Sequence, residues 1–195
     1  MKIRTYHKMM LGSVLLFIIS GYAVYTSDWF KRKFIYPFNY QAFIYHYSLE
    51  HDLSPFLIAG VIKAESSFRP NARSHKGAMG LMQVMPETGK WIGERLSSPI
   101  HIDSNSAGDL ILKDPEINIR LGTWYLNFLR SEFFDNEVLY LAAYNGGMGN
   151  VRNWMERYGW CEEFSDIDQI PFPETRSYVK RVLYYKEQYQ KMYGR

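Results

Sequence analysis

Cysteine is nearly absent from this sequence, since Cys161 is the only one among 195 residues. A single cysteine excludes an internal disulfide and a cysteine-based metal site, and it leaves the redox compartment open. The five histidines lack a metal-ligand spacing such as HExxH. The sequence therefore predicts no metal site and gives no sign of another cofactor.

The excess of positive over negative charge is also small. The formal net charge is +3, which is too small to indicate nucleic-acid binding but is compatible with an anionic surface. With 47% apolar and 22% charged residues, the composition is that of a globular protein rather than a disordered one. Aromatic residues reach 17%. Surplus tyrosine and tryptophan suit sugar binding, and filling of the core and surface explains them equally well.

Charged residues are missing from one stretch near the N-terminus, residues 9–27. Its nineteen residues would span about 28 Å as a helix, close to the thickness of a hydrocarbon core. Basic residues precede the stretch, so a cleaved signal peptide would look similar, but Gly21-Tyr22-Ala23 is a poor cleavage site. We expect an uncleaved membrane anchor at residues 1–27, and a secreted protein if the segment is removed.

The orientation of this anchor follows from the positive-inside rule. Lys31, Arg32 and Lys33 follow the apolar stretch, so the charge bias across it is small. The short N-terminal tail still favours an inside N-terminus. The sequence thus predicts a single-pass protein of the cell membrane with its large C-terminal part on the outer side. Residues 28–40 are interpreted as a linker next to the membrane.

Strand signals are scarce in the rest of the chain, whereas helix signals recur. A capping residue followed by proline, as in Ser54-Pro55 and Asp114-Pro115, marks the start of a helix. Apolar residues at helical spacing follow these starts. The predicted helices begin at Pro55, Pro86, Pro115, Val138 and Pro173, and Gly146-Gly147 stops the fourth. The sequence predicts one compact, mainly α domain over residues 41–195.

Glu65 follows residues 56–64, which are apolar almost all round apart from Lys63 and predict a buried helix. Apolar surroundings and the negative end of a helix dipole both disfavour the ionised carboxyl and raise its pKa. A carboxylic acid that stays protonated near neutral pH can protonate the leaving oxygen of a glycosidic bond. From position alone, a solvated glutamate at a helix end is the more ordinary interpretation.

Three further segments carry side chains that fit a sugar site, and each has an ordinary explanation alone. Gly80-Leu81-Met82-Gln83 lets the backbone approach a ligand and supplies an amide donor and acceptor, but it also suits any loop. Asn145 in Ala143-Tyr144-Asn145 fits a helix cap. Tyr178 in Glu174-Thr175-Arg176-Ser177-Tyr178-Val179 fits a helix core.

Together with Glu65-Ser66, these segments resemble the lytic transglycosylases of the Slt type, in the goose-type lysozyme-like group. The four motifs stand in the family's order and at its spacing, and the resemblance covers about residues 41–190. It implies a lysozyme-like, mainly α catalytic (SLT) domain that acts on the glycan strands of bacterial peptidoglycan.

The resemblance also implies a role for each motif residue. Glu65 would be the single acid/base, and Ser66 would orient it and the incoming sugar hydroxyl. The other motif residues would bind substrate: Met82 and Gln83 by lining the sugar subsites, Tyr144 by supporting the cleft, Asn145 near the reacting sugar, and Tyr178 close to Glu65 and the N-acetyl group.

A second carboxylate, which ordinary glycosidases use, does not stand out by motif. Asp103, Asp109 and Asp114 lie in a polar stretch and are interpreted as turn or cap residues. A single acid fits the chemistry that the resemblance implies. Glu65 would protonate the β-1,4 bond between N-acetylmuramic acid (MurNAc) and N-acetylglucosamine (GlcNAc), and the N-acetyl group would stabilise the positive sugar. The C6 hydroxyl would then attack C1 to give a 1,6-anhydromuramoyl end.

Two alternatives stay open. A muramidase-type hydrolase on the same scaffold would use water in place of the C6 hydroxyl. A non-catalytic peptidoglycan-binding module would hold the glycan without cutting it. The expected partners are peptidoglycan strands and, through the N-terminal helix, the membrane, and the sequence indicates no particular protein partner.

Overall fold

The computed structural model describes residues 2–103 and 106–194. These residues are mainly helical and form no β-strand. The helices are α1 (Lys2–Thr26), α2 (Asp28–Phe30), a π-helix (Lys31–Ile35), α3 (Gln41–Glu50), α4 (Pro55–Ser66), α5 (Pro86–Gly93), α6 (Ser106–Lys113), α7 (Pro115–Glu132), α8 (Glu137–Gly146), α9 (Met148–Tyr158), a 3-10 helix (Ile167–Gln169) and α10 (Pro173–Tyr193).

The chain divides into two units at the boundary between Phe38 and Asn39. In the N-terminal unit, α1 exposes its large apolar side chains, and Phe17 is 80% exposed. No described helix is by itself long and apolar enough to cross a membrane. The segments Met10–Thr26 and Asp28–Ile35 meet that requirement of length and composition only as a pair, with a bend of 57° between them.

The C-terminal unit is built around α4. Ser54 at the cap position and Pro55 at the first helical position start this helix, as predicted. Ser67, with a left-handed φ of 52°, ends it, so that Glu65 lies in the last turn. Residues 57–62 are all buried, which confirms the predicted buried helix.

Helices α4 and α10 pack closely at Gly60. A Cβ atom added to Gly60 would lie 2.9 Å from the Val182 carbonyl oxygen and 3.0 Å from the Lys186 backbone nitrogen. Any larger residue would therefore push the two helices apart. This contact sets the position of α10, and with it Tyr178, against α4.

Two other predicted helix boundaries are confirmed. Asp114 caps α7, since its Oδ1 atom accepts a hydrogen bond from the Ile117 backbone N–H at 2.9 Å. Helix α8 ends at Gly146, and Gly147, with φ of 88°, turns the chain directly into α9. The end of α8 therefore presents the motif residues that precede this turn.

Helices α3, α6 and α9 were not predicted, and none of them begins with the cap-and-proline signal. Asp109 lies in the first turn of α6 rather than in a loop, and its Oδ2 atom accepts a hydrogen bond from Arg73 Nη1 at 3.0 Å. The residues predicted as a linker also begin with helical turns, Asp28–Phe30 and Lys31–Ile35.

Candidate active site

Glu65 lies at a cavity of about 480 Å³ that four separate segments of the chain line. The last turn of α4 contributes Glu65, the end of α8 contributes two residues, the start of α10 one, and the chain between α4 and α5 the others. The lining residues are Glu65, Ser74, His75, Lys76, Ala78, Gln83, Met85, Tyr144, Asn145 and Glu174.

Burial raises the pKa of the Glu65 carboxyl from 4.5 to about 7. Hydrogen bonding to Tyr178 and the positive charge of Arg181 act to lower this pKa, the negative charge of Glu174 acts to raise it, and the value of about 7 is the net result. Because burial penalises the charged form, Glu65 can hold a proton near neutral pH and can also give it up there. That balance is what a group acting as acid and then as base requires.

Tyr178 faces Glu65 from α10, and its side chain is only 1% exposed. Among the described residues its buried hydroxyl has no hydrogen-bond partner of ordinary geometry, but it is near enough to Glu65 for a longer hydrogen bond that lowers the pKa of that carboxyl. Burial, and then the charge of Glu65, raise the pKa of Tyr178. The phenol therefore stays protonated and is available as a donor.

Tyr144 forms the adjoining wall of the cavity. Its hydroxyl donates a hydrogen bond to the Met82 carbonyl oxygen at 2.9 Å, and its ring packs on Tyr125 with 5.7 Å between centroids. Burial, then the charge of Glu65, raise the pKa of Tyr144 as well. This hydrogen bond ties the end of α8 to the turn that carries Gln83.

The Gly80–Gln83 turn is held from two sides, by Ser66 and Asn118. The Ser66 hydroxyl donates to the Leu81 carbonyl oxygen at 2.7 Å. The fully buried Asn118 accepts from the Met82 backbone N–H at 2.7 Å and donates to the Met79 carbonyl oxygen at 2.9 Å. A Cβ atom on Gly80, whose φ is 80°, would collide with the Asn118 amide, so this position requires glycine.

The Gln83 side chain is oriented by its own loop. Its Nε2 atom donates to the Gly80 carbonyl oxygen at 3.0 Å and to the Ala72 carbonyl oxygen at 3.2 Å. Both partners are acceptors, so they fix which end of the amide is the nitrogen. Gln83 therefore offers its amide oxygen, as an acceptor, to whatever occupies the cavity.

Asn145 is oriented by Thr175, the third residue of α10. The Thr175 hydroxyl, on a side chain only 2% exposed, donates to Asn145 Oδ1 at 2.9 Å. The oxygen end of this amide is thus occupied within the protein. The NH₂ group of Asn145 is left as a donor at the cavity wall, opposite in character to Gln83.

The cavity brings together Glu65, Gln83, Tyr144 and Asn145 of the predicted site residues, with Tyr178 beside them. It does not include the other two. The Ser66 side chain is 1% exposed and that of Met82 is fully buried, and the Met82 sulfur accepts from the Thr123 hydroxyl at 3.8 Å. These two residues shape the site from beneath instead of lining it.

Sequence reasoning missed Glu174, Thr175 and Asn118. Glu174 is an exposed carboxylate in the cavity, although no second acid was expected there. The available signal was its position one turn before Tyr178 on the same helix, which brings both side chains to one end of α10. Asn118 had no signal, because its role depends on contacts with residues distant in sequence. Over the described part of the chain, no cluster of three or more His, Cys, Asp or Glu side chains could hold a metal ion.

Comparison with known families gives two matches. Residues 43–167 match the transglycosylase SLT domain, and residues 169–195 match the soluble lytic transglycosylase helical domain. A soluble lytic murein transglycosylase of Salmonella typhimurium is 36% identical over 160 residues, which cover 82% of this chain and 24% of the relative. A membrane-bound lytic murein transglycosylase C of Actinobacillus pleuropneumoniae is 30% identical over 163 residues, covering 71% of this chain and 42% of the relative.

Solved structures of lytic transglycosylases also align with this chain. The 70-kDa soluble lytic transglycosylase of Escherichia coli aligns with a TM-score of 0.74 and 33% identity, covering 82% of this chain and 25% of that one. An inactive mutant of the lytic transglycosylase Slt from Pseudomonas aeruginosa aligns with a TM-score of 0.71 and 34% identity, over 84% and 26% of the two chains. The chain thus spans about a quarter of the length of these soluble relatives.

Proposed function

Because the chain belongs to the transglycosylase SLT domain family, we propose that it is a peptidoglycan lytic transglycosylase. It cleaves the β-1,4 bond between MurNAc and GlcNAc and leaves a 1,6-anhydromuramoyl end. The observation that carries this proposal is the Glu65 carboxyl, whose pKa burial raises to about 7, at the wall of a cavity lined by polar side chains.

In the first step Glu65 acts as an acid. Its protonated carboxyl gives a proton to the bridging oxygen, and the bond from that oxygen to C1 of MurNAc breaks. The GlcNAc part leaves with a restored hydroxyl, and positive charge develops on the MurNAc ring. The N-acetyl group of the same sugar stabilises this charge, with the phenol of Tyr178 and the Asn145 amide as donors nearby.

In the second step the ionised Glu65 acts as a base. It removes the proton from the C6 hydroxyl of MurNAc while the oxygen of that hydroxyl forms a bond to C1. The ring closes to the 1,6-anhydro form, and Glu65 regains the proton that it lost. No water is consumed, so one carboxyl is sufficient for the complete cycle.

Glu174 favours a second candidate, a muramidase-type hydrolase. It lines the same cavity and influences the Glu65 carboxyl through its charge. Hydrolases that act through two carboxylates need such a partner to activate water or to attack C1. The exposed position of Glu174 at the rim of the cavity supports a role in setting the charge of the site more than a role as nucleophile.

Product analysis separates the candidates. Purified peptidoglycan is incubated with the protein, and the released fragments are identified by mass spectrometry. Anhydro ends are expected, whereas ordinary reducing ends would replace the proposal with the hydrolase. The Glu65→Gln variant is the control. If neither protein releases fragments, the chain is a binding module.

We also propose the domain layout that the sequence suggested, namely an anchor at residues 1–27, a linker at residues 28–40 and an SLT domain at residues 41–195. Support comes from the exposed apolar face of α1 and the bent helix pair that has the composition of a membrane span. Fractionation of cells that express the chain, with the mature N-terminus determined by mass spectrometry, tests it. An intact N-terminus in the membrane fraction is expected, and a processed soluble form would indicate a signal peptide.

A further inference from the structure

Four aromatic side chains on α5 and α7 form a group that we call the aromatic cluster: Trp91, Trp124, Tyr125 and Phe128. The Trp91 ring stands edge-on to Phe128 and Trp124, with 5.2 and 5.6 Å between centroids. Trp124 and Phe128 lie parallel, with planes 3° apart and centroids 5.7 Å apart. All four side chains are half-buried, so the cluster is packed within itself but not covered by the chain.

The aromatic cluster is not part of the core of the C-terminal unit. The core face of α7 is formed by other residues, which are fully buried: Ile119, Leu121, Leu126 and Leu129. Helix α7 therefore already has a buried apolar face without the cluster, whose α7 members lie along one edge of that face and keep part of their surface exposed. Partly exposed aromatic side chains grouped in this way are typical of binding surfaces.

A groove of about 290 Å³ runs over the cluster. It is lined by Glu87, Thr88, Trp91, Tyr125, Phe128 and Met148. Thr88 and Tyr125 also line a second cavity of about 280 Å³, and that cavity shares Gln83, Tyr144 and Asn145 with the Glu65 cavity. The Glu65 cavity, this second cavity and the groove thus adjoin one another, from Glu65 to the aromatic cluster.

We propose that the aromatic cluster binds the glycan strand a few sugars away from the bond that Glu65 cuts. This rests on the proposed function, since a polymeric substrate has to leave the Glu65 cavity along an open path. Flat aromatic faces pack on the apolar C–H faces of sugar rings. The Glu87 carboxylate and the Thr88 hydroxyl, at the edge of the groove, supply hydrogen-bonding partners for sugar hydroxyls.

The cluster is held in place by the protein itself. The Arg95 guanidinium lies over the Trp91 ring at 4.4 Å from its centroid, and Arg95 Nη1 donates to the Trp91 carbonyl oxygen at 2.9 Å. Tyr125 packs on Tyr144, which lines the Glu65 cavity. Rings fixed in this way lose little freedom when a ligand binds, so their contacts contribute to affinity.

The first experiment compares substrate lengths. Trp91→Leu and Phe128→Leu remove an aromatic face but keep an apolar side chain, so the fold is retained. The control is Tyr184→Leu on α10. This tyrosine is 51% exposed and lines neither of the two cavities nor the groove. We expect KM for long glycan strands to rise about tenfold in the two cluster variants and to stay unchanged in the control. Cleavage of short fragments is unchanged in all three. Equal losses on long and short substrates would overturn the proposal.

The second experiment does not depend on cleavage. The full chain carrying Glu65→Gln is titrated with oligomers of GlcNAc of increasing length, and tryptophan fluorescence reports binding. Affinity is expected to increase with length, and to stop increasing when Phe128→Leu is added. Affinity that is independent of length, or unaffected by Phe128→Leu, would show that the cluster serves another ligand such as a protein. If Glu65→Gln proved active, the proposed mechanism would fail while this titration would still decide the role of the cluster.

Discussion

Two cavities lie at opposite ends of α4, and α8 and α10 contribute to both. At the N-terminal end, a cavity of about 260 Å³ contains Glu137 and Lys186. The Lys186 ammonium donates to both oxygens of Glu137, at 2.6 and 2.9 Å. At the C-terminal end, Glu65 makes no ion pair with any described residue, and burial raises its pKa to about 7.

Among these three helices, one part-buried glutamate, Glu137, thus has a cation partner, whereas the other, Glu65, has none among the described residues. At Glu137 a cation lies beside the carboxylate, so removing either partner would leave an uncompensated charge in a part-buried place. A carboxyl that is buried without a cation is unfavourable for the fold but can exchange a proton near neutral pH. The difference assigns stability to the Glu137 end and chemistry to the Glu65 end.

The largest expected effect is on activity. Glu65→Gln should lower kcat for release of peptidoglycan fragments by about a thousandfold or more, because an amide neither donates nor accepts the transferred proton. Glu137→Gln, the matched change at the other end of α4, should leave kcat within about twofold of the original, since its cavity takes no part in the reaction. Equal losses in the two variants would show that the Glu137 cavity also takes part in the reaction.

Next in size is the effect of the Asn145 orientation. Thr175→Val keeps the shape of the side chain but removes the hydroxyl that donates to Asn145 Oδ1. We expect kcat/KM to fall about tenfold, because the amide can turn and the hydrogen bond is lost. Thr175→Ser keeps the hydroxyl and should retain most of the activity. If Thr175→Ser were as impaired as Thr175→Val, packing and not orientation would be responsible.

A smaller effect is expected on stability, with opposite signs at the two ends. Glu137→Gln leaves the Lys186 ammonium without its partner, and it should lower the free energy of unfolding by about 1 kcal/mol, or Tm by about 3 °C. Glu65→Gln should raise stability above pH 7, because it removes a carboxyl that is unfavourable when ionised in the folded protein.

The sign for Glu65 follows from proton binding. Between pH 4.5 and about 7 the folded state keeps a proton on Glu65 that the unfolded chain has lost. The original protein therefore loses stability as pH rises through this window, and the loss is complete above pH 7. Thermal melts should show Glu65→Gln equal to the original at pH 4 and more stable by about 3 kcal/mol at pH 8. A difference that does not depend on pH would contradict the raised pKa.

The extent to which the sequence predicted these features depends on the range of the contacts involved. Local signals were sufficient for α4, α7 and α10, because caps and prolines act within one turn of a helix, and for α8, where an apolar run is ended by two glycines. The resemblance located Glu65 and its polar neighbours. The roles of Asn118 and Thr175 depend on hydrogen bonds to residues 30 or more positions away, which no local pattern reports. The sequence likewise did not show that Ser66 and Met82 are covered.

The smallest expected effect concerns Glu174, whose charge is the least of the influences on the Glu65 pKa. Glu174→Gln should lower that pKa slightly, because a nearby negative charge no longer opposes ionisation. The alkaline limb of the kcat/KM profile should then move to lower pH, and the shift should shrink at high salt, since Glu174 is exposed. Glu187→Gln, an exposed change further along α10, should leave the profile unchanged.

The size of this effect also decides between the two reactions. In a transglycosylase the C6 hydroxyl replaces water, so the charge of Glu174 only adjusts the site. In a two-carboxylate hydrolase the same residue would activate water or attack C1, and Glu174→Gln would be nearly as inactive as Glu65→Gln. A loss of that size, together with reducing ends in the products, would make Glu174 the second catalytic carboxylate and restrict the role of Glu65 to that of the acid.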